Sequence, residues 1–233
     1  MARAKHKKLR SAIIDVCLKM NAVGINQGTA GNVSARVDEG LLVTPTGMAY
    51  ESLEPEDICL IHWDGTYEGD RMPTSEWRFH YDIMRARPDC GGIVHTHALH
   101  CVTLACLHLE IPSFHYMVAV AGGYDIRCAP YARYGTQALS DNAIQALKDR
   151  NACLLANHGM IALGPTVEKA LGLAIEVETL ASQYWRALQV GKPKLLSKAQ
   201  MDDVLIRIKN YGKQPEEILD GTPPAMEPPP KRL

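Results

Sequence analysis

Three histidines and one acid carry the chemistry this sequence could do. His95 and His97 flank Thr96 at the end of the apolar run Gly91-Gly92-Ile93-Val94. If the run is a β-strand, side chains alternate faces with a period of two, and both imidazoles point the same way. His158 lies in Asn157-His158-Gly159, a tight turn between two apolar runs, from which a side chain can reach a cleft. Glu76 adds a carboxylate near the start of a helical segment. Three imidazoles and one carboxylate suit tetrahedral zinc, and the same donors serve non-haem iron or manganese. Each residue also has a plainer reading: a packed core histidine, or an acid favoured by the helix dipole in a first turn.

Three small-residue turns could receive an anion. The first is Asn26 to Ser34, where Thr29 and Asn32 offer side-chain donors among glycines. It lacks a G-K-[ST] ending, so it is not a Walker loop. The second is Pro45-Thr46-Gly47. The third is Pro73-Thr74-Ser75, ahead of a helix expected to run to about Arg87, with Thr74 or Ser75 as its N-cap. A helix start offers free N–H groups and a positive dipole end.

The elements that must position these groups follow from periodicity. Apolar residues at Leu9, Ala12, Ile13, Val16, Cys17 and Met20 have helical spacing, and Gly24 is placed to end that helix. Strands are expected to Val37, over 41–44, 58–62, 91–97, 152–156 and 160–163, with a hairpin turn at Asp64-Gly65. Helices are expected over 98–107, 136–149, from a Thr166 cap to about Val190, and 200–211. The stretch from Ile111 to Gly123 reads as extended, and 129–135 as a connection. Several strands are joined by short turns, so the sheet should be mixed, largely antiparallel, and not a Rossmann sheet. Residues 1–215 should form one domain, with a proline-rich, disordered tail over 216–233.

Composition excludes other roles. A net charge of −1 lacks the basic footprint of a nucleic-acid binder, and no apolar run is long enough to span a membrane. Seven scattered cysteines without a C-x-x-C point to a reduced, cytoplasmic chain without a signal peptide.

Thr29-Ala-Gly-Asn32-Val-Ser, Val43-Thr-Pro-Thr46-Gly47, Ser75-Glu76-Trp-Arg-Phe-His, His95-Thr-His97 and Asn157-His158-Gly159 resemble, in order and spacing, the class II aldolase/adducin family. The match runs from about residue 5 to 212. Within the family, Asn26 to Thr29, Ile111-Pro112, His115 to Met117, Ala129 to Tyr131 and Tyr211-Gly212 are most similar to the branch that cleaves L-fuculose 1-phosphate.

The resemblance implies a three-layer α/β/α domain in a cyclic homotetramer with active sites between subunits. It implies one Zn²⁺ on His95, His97 and His158 with Glu76 as a labile fourth ligand, Mn²⁺, Co²⁺ or Fe²⁺ remaining open. It implies a phosphate cradle from Thr29, Asn32, Thr46, Gly47, Thr74 and Ser75. Glu76 would be the base and acid at C3, Tyr116 of a neighbouring subunit would serve the C4 hydroxyl, and Tyr134 and Tyr211 would border the aldehyde.

The implied reaction is retro-aldol cleavage of a ketose 1-phosphate to dihydroxyacetone phosphate and a small aldehyde such as lactaldehyde. The same scaffold also implies 5-deoxyribulose or methylthioribulose 1-phosphate aldolases, a ribulose-phosphate 4-epimerase or a dehydratase. An adducin-like binding module should lack the metal ligands, and all four are present here. Within the resemblance, Thr74 replaces an expected serine, Tyr134 a phenylalanine and Asn157 a histidine.

Overall fold

The computed structural model describes residues 5–214, 217–218 and 223–225. An eight-stranded sheet lies between two helical layers. Its strands are β1 (Asn32–Val37), β2 (Gly40–Val43), β3 (Cys59–His62), β4 (Tyr67–Glu68), β5 (Gly92–Thr96), β6 (Cys128–Ala129), β7 (Ala152–Leu155) and β8 (Gly159–Gly164). The order is β4-β3-β2-β1-β5-β8-β7-β6. Neighbours are antiparallel except the parallel β6–β7 pair at one edge. The expected mixed, largely antiparallel three-layer architecture is therefore present.

Both faces of the sheet are covered, which is why its strands are nearly continuous apolar runs. Alternation splits them between two cores. Val33, Leu42, Leu60, Val94, Leu154 and Met160 pack on one face with helices α1 (Lys7–Ala22), α3 (Leu99–Cys106) and α5 (Val167–Val190). Leu41, Ile61, Ile93, Cys153 and Ile161 pack on the other with α2 (Trp77–Ala86) and α4 (Gln137–Ala146). His95 is two residues from Ile93, so it faces the α2 layer, where its ring centroid lies 5.4 Å from that of Phe79.

Local signals account for the element ends. Gly24, at φ +78°, closes α1 with the N–H of Ile25 on Met20 O and its own N–H on Asn21 O, the Schellman pattern. The Thr166 hydroxyl caps α5 by accepting from the Lys169 N–H. Helix α6 (Lys198–Arg207) begins two residues before the expected start, because Ser197 and Gln200 form a reciprocal capping box.

Three expectations are corrected. Helix α2 begins at Trp77, and neither Thr74 nor Ser75 is its cap; Glu76 occupies the cap position itself. The Thr74 hydroxyl and carbonyl instead receive the N–H groups of Glu76 and Trp77, which draws the chain into a turn before the helix starts. The stretch expected to be extended to Gly123 becomes a 3-10 helix over Tyr116–Ala121, started by the His115 ring accepting from the Met117 N–H. The connection near Ala129 contains edge strand β6, too short to show a periodicity. Most of the tail expected to be disordered lies outside the described residues. Among the described residues no helix is long and apolar enough to cross a membrane, and all seven cysteines are free.

Candidate metal centre

The sheet brings His95 and His97 to one end of β5, and the β7–β8 hairpin brings His158 beside them. The hairpin turns at Asn157, which takes φ +54°, a conformation asparagine tolerates better than most residues. Gly159 then passes under the two other imidazoles. A Cβ there would lie 2.6 Å from Thr96 O, 3.0 Å from His97 Cδ2 and 3.2 Å from His95 Cε1. Only a bare backbone allows the three rings to close to centroid separations of 5.1, 4.9 and 5.0 Å.

Glu76 reaches this cluster from the start of α2. One ligating atom from each of Glu76, His95, His97 and His158 can be chosen so that all lie within 4.8 Å of one another. Glu76 Oε2 is 3.1 Å from His95 Nε2, and Oε1 is 3.3 Å from His158 Nε2. Glu76 Oε1, His95 Nε2 and His97 Nε2 are buried with no hydrogen-bond partner.

Protonation explains how short contacts and missing hydrogen bonds coexist. His95 Nδ1 lies 2.9 Å from Met160 O, a carbonyl that can only accept, so Nδ1 carries the proton and Nε2 presents a lone pair. Burial, then the neighbouring His95, push His97 and His158 down to about 4, so both are neutral near pH 7. Burial pushes the Glu76 carboxyl up, while the Asn32 amide donating to Oε2 favours the ionised form; protonation of His95 or His158 beside it would hold the group below the usual carboxylate range. Buried lone pairs converging on one another are costly unless a cation lies among them. The donor set fits a divalent metal, with His97 and His158 at its half-buried side.

Two residues of the turns expected to hold phosphate, Asn32 and Thr74, hydrogen-bond to Glu76. Pro45 and Pro73 form an antiparallel bridge, with the Thr46 N–H on Met72 O and the Thr74 N–H on Thr44 O. That lays Thr44 alongside Thr74 and Thr46 alongside Met72. The Tyr50 hydroxyl donates to Gly31 O and so ties the Thr29 turn to the loop after Gly47. Thr29, Thr46, Gly47 and Ser75 are exposed, while Thr74 and Asn32 are buried. Asn32 is already engaged: its Nδ2 donates to Glu76 Oε2 at 3.1 Å and its Oδ1 faces His80 Nε2 at 2.5 Å. One amide N–H remains for an anion.

The tyrosines are distributed differently. Gly135, at φ +72°, passes so close to Ser75 that a Cβ would lie 2.7 Å from its carbonyl oxygen, which brings the neighbouring Tyr134 to the segment before α2. Tyr116 and Tyr211 are exposed and adjacent, and the Tyr211 phenol raises the Tyr116 hydroxyl pKa. Among the described residues, no hydrogen bond, ion pair or ring contact joins either tyrosine to the four-ligand cluster.

A family model for the class II aldolase and adducin N-terminal domain matches residues 11–185. The chain belongs to this family. It is 52% identical over 204 residues to the 5-methylthioribulose-1-phosphate/5-deoxyribulose-1-phosphate aldolase of Rhodospirillum rubrum, covering 88% of this chain and 92% of the relative. It is 48% identical over 214 residues to the L-fuculose phosphate aldolase of Escherichia coli K12, covering 91% and 100%. A solved L-fuculose 1-phosphate aldolase superposes with a TM-score of 0.86 at 33% identity, covering 90% of this chain and all of that one. The chain is thus a class II aldolase, a carbon–carbon lyase. The two named substrate classes stand at similar identity.

Sequence reasoning passed over four residues of this aldolase's centre: Ser34, His80, Met160 and the packing role of Gly159. Two of these had a signal. His80 is one helical turn after Glu76, and Ser34 is two residues after Asn32 on the same strand face.

Proposed function

We propose that this class II aldolase cleaves a ketose 1-phosphate of the L-fuculose 1-phosphate type to dihydroxyacetone phosphate and a small aldehyde such as lactaldehyde. The observation that carries the reading is the convergence of three orphaned buried donor atoms, with His158, beside hydroxyl-rich turns. His95, His97 and His158 hold the metal, with Glu76 as the displaceable fourth ligand. Zinc suits three imidazoles and a carboxylate best. When bound, the ion supplies Lewis-acid polarisation of the substrate carbonyl.

The protein's own groups do the rest. Thr29, Asn32, Thr46, Gly47, Thr74 and Ser75 anchor the phosphate and so fix the position of the sugar carbons. Cleavage breaks C3–C4: the C4 hydroxyl loses its proton as the C4 carbonyl forms, and the bonding pair passes to C3. Glu76 delivers a proton to C3, and removes it in the synthetic direction. Tyr116 takes the C4 hydroxyl proton, and Tyr134 and Tyr211 border the aldehyde. Among the described residues neither Tyr116 nor Tyr211 is bonded to the centre of its own chain, which supports their belonging to a neighbouring copy's site in a cyclic homotetramer. Seven free thiols support a cytoplasmic enzyme.

A second substrate is favoured by a specific observation, the 52% identity to the Rhodospirillum rubrum aldolase. 5-Deoxyribulose and 5-methylthioribulose 1-phosphates share the phosphate and ketone and differ on the aldehyde side, where Tyr134 lies. A coupled triose-phosphate release assay over these three ketose 1-phosphates, with metal content measured on the same sample, tests both readings. Release from at least one, abolished by chelation, is expected. Conversion of L-ribulose 5-phosphate to D-xylulose 5-phosphate without free triose phosphate would show an epimerase instead.

A further inference from the structure

The buried side of Glu76 leads through Asn32 to a polar pair, His80 and Ser34, that the reaction itself does not use. Ser34 Oγ is 2.7 Å from His80 Nδ1, His80 Nε2 is 2.5 Å from Asn32 Oδ1, and Asn32 Nδ2 is 3.1 Å from Glu76 Oε2. Ser34 and His80 are fully shielded from solvent, and Asn32 is 4% exposed. The chain crosses from β1 to α2, back to β1 and again to α2.

Donor and acceptor chemistry gives this chain one direction. An ionised carboxylate only accepts, so the Asn32 amide must turn its NH₂ to Glu76 and its carbonyl to His80. A carbonyl also only accepts, so the His80 proton sits on Nε2. Nδ1 is then a bare acceptor and receives the Ser34 hydroxyl proton. In the other tautomer, Nε2 would place a lone pair against Asn32 Oδ1. The amide would then be driven to flip and present its carbonyl to the Glu76 carboxylate.

We propose that His80 is a positioning residue for Glu76: its Nε2–H tautomer, with Nδ1 receiving the Ser34 hydroxyl, locks the Asn32 amide in the orientation that holds the carboxylate beside the metal centre. The inference rests on the reading of Glu76 as the group that moves the proton at C3. Ser34 is fixed by its place in the interior of β1, and His80 by its burial between α2 and the sheet, so the chain starts from rigid elements.

Two measurements test it on the full chain. The first is the ring ¹⁵N spectrum of histidine-labelled protein, with the His80 signals assigned by their loss in His80→Gln. The expected result is a protonated Nε2 and an unprotonated Nδ1; an Nδ1–H tautomer or a doubly protonated ring overturns the proposal. The second is steady-state kinetics. His80→Leu, which keeps the volume but loses the donor, should lower kcat by about 10- to 100-fold, and should raise KM as well, because the Asn32 amide it releases also faces the phosphate. His80→Gln places an amide N–H where Nε2–H stood and should recover most of the loss. Unchanged kcat in His80→Leu overturns the proposal. If that variant does not fold, the ring spectrum decides. Full activity in Glu76→Gln would overturn the Glu76 reading and this inference with it. An inactive Glu76→Gln beside a fully active His80→Leu overturns this inference alone.

Discussion

Asn32 and His95 face each other across the β1–β5 ladder, and both reach the same oxygen of Glu76, each at 3.1 Å. Paired residues on neighbouring antiparallel strands point to the same face. The sheet register therefore sets the angle between a hydrogen-bond donor and a metal-facing imidazole at one carboxylate oxygen. A one-residue slip of either strand would put the two residues on opposite faces. The carboxylate arrives from α2, so the centre closes only when that helix packs on the sheet.

Gly159 should be intolerant of any side chain. Its Cβ would meet the Thr96 carbonyl at 2.6 Å, a backbone atom that cannot swing away. Gly159→Ala should cost about 1–3 kcal/mol and spread the three imidazoles. Thermal melts with and without added zinc should show a lower midpoint and a diminished response to the metal.

Glu76→Gln keeps the size and the contact region of the side chain but removes the charge and the exchangeable carboxyl proton. The triose-phosphate release rate should fall by about 10²- to 10⁴-fold. The protein should still fold, because Asn32 retains an oxygen to donate to. A retained rate would remove Glu76 from the proton transfer.

Metal removal should lower stability by mass action. With free metal at about a hundred times Kd, binding adds about 2.7 kcal/mol to the folded state. Chelation should therefore lower the melting midpoint of the parent protein. His158→Ala should melt at the same temperature with and without chelator and should carry less metal by elemental analysis.

The metal-free protein should lose stability on acidification across a defined window. His97 and His158 are depressed to about 4 and His80 to about 3, each from 6.5. Below pH 6.5 the unfolded chain takes up protons that the folded chain refuses, so stability falls as the pH falls. The contribution is complete above about 6.5 and is lost progressively down to about 4, and to about 3 for His80. Glu76, held below its ordinary range once His95 or His158 is protonated, carries the same trend further down. Urea midpoints from pH 8 to 4 on chelated protein check this. A flat profile would mean that these imidazoles are not buried neutral.

Much of the centre was legible before folding was considered. His-x-His at the end of an apolar run has one geometric consequence in a strand, and the structure keeps it, with the two rings 5.1 Å apart. Asn157-His158-Gly159 between two apolar runs reads as a hairpin turn, and it is one. Gly24 and Thr166 announced helix ends because their effects act within one turn of the chain. The start of α2 was misplaced because Thr74 spends its oxygens on a turn, a competition between two local hydrogen-bond patterns that sequence cannot rank. The stretch before Gly123 departs from the extended reading because its short 3-10 helix is started by the His115 ring accepting from the Met117 N–H, a contact that hydrophobic periodicity does not report.

The sequence by itself determined the ligand types, the strand that aims two of them, and the glycine and hydroxyl residues of the turns. These follow from short-range sterics and from the chemistry of single side chains. Only the tertiary structure decided that Glu76 joins the histidines, that Asn32 is tied to it, and that His80 and Ser34 stand behind both. Residues 34 and 80 meet because α2 packs against β1. The protonation each imidazole keeps is set by which lone pair or carbonyl burial places within reach.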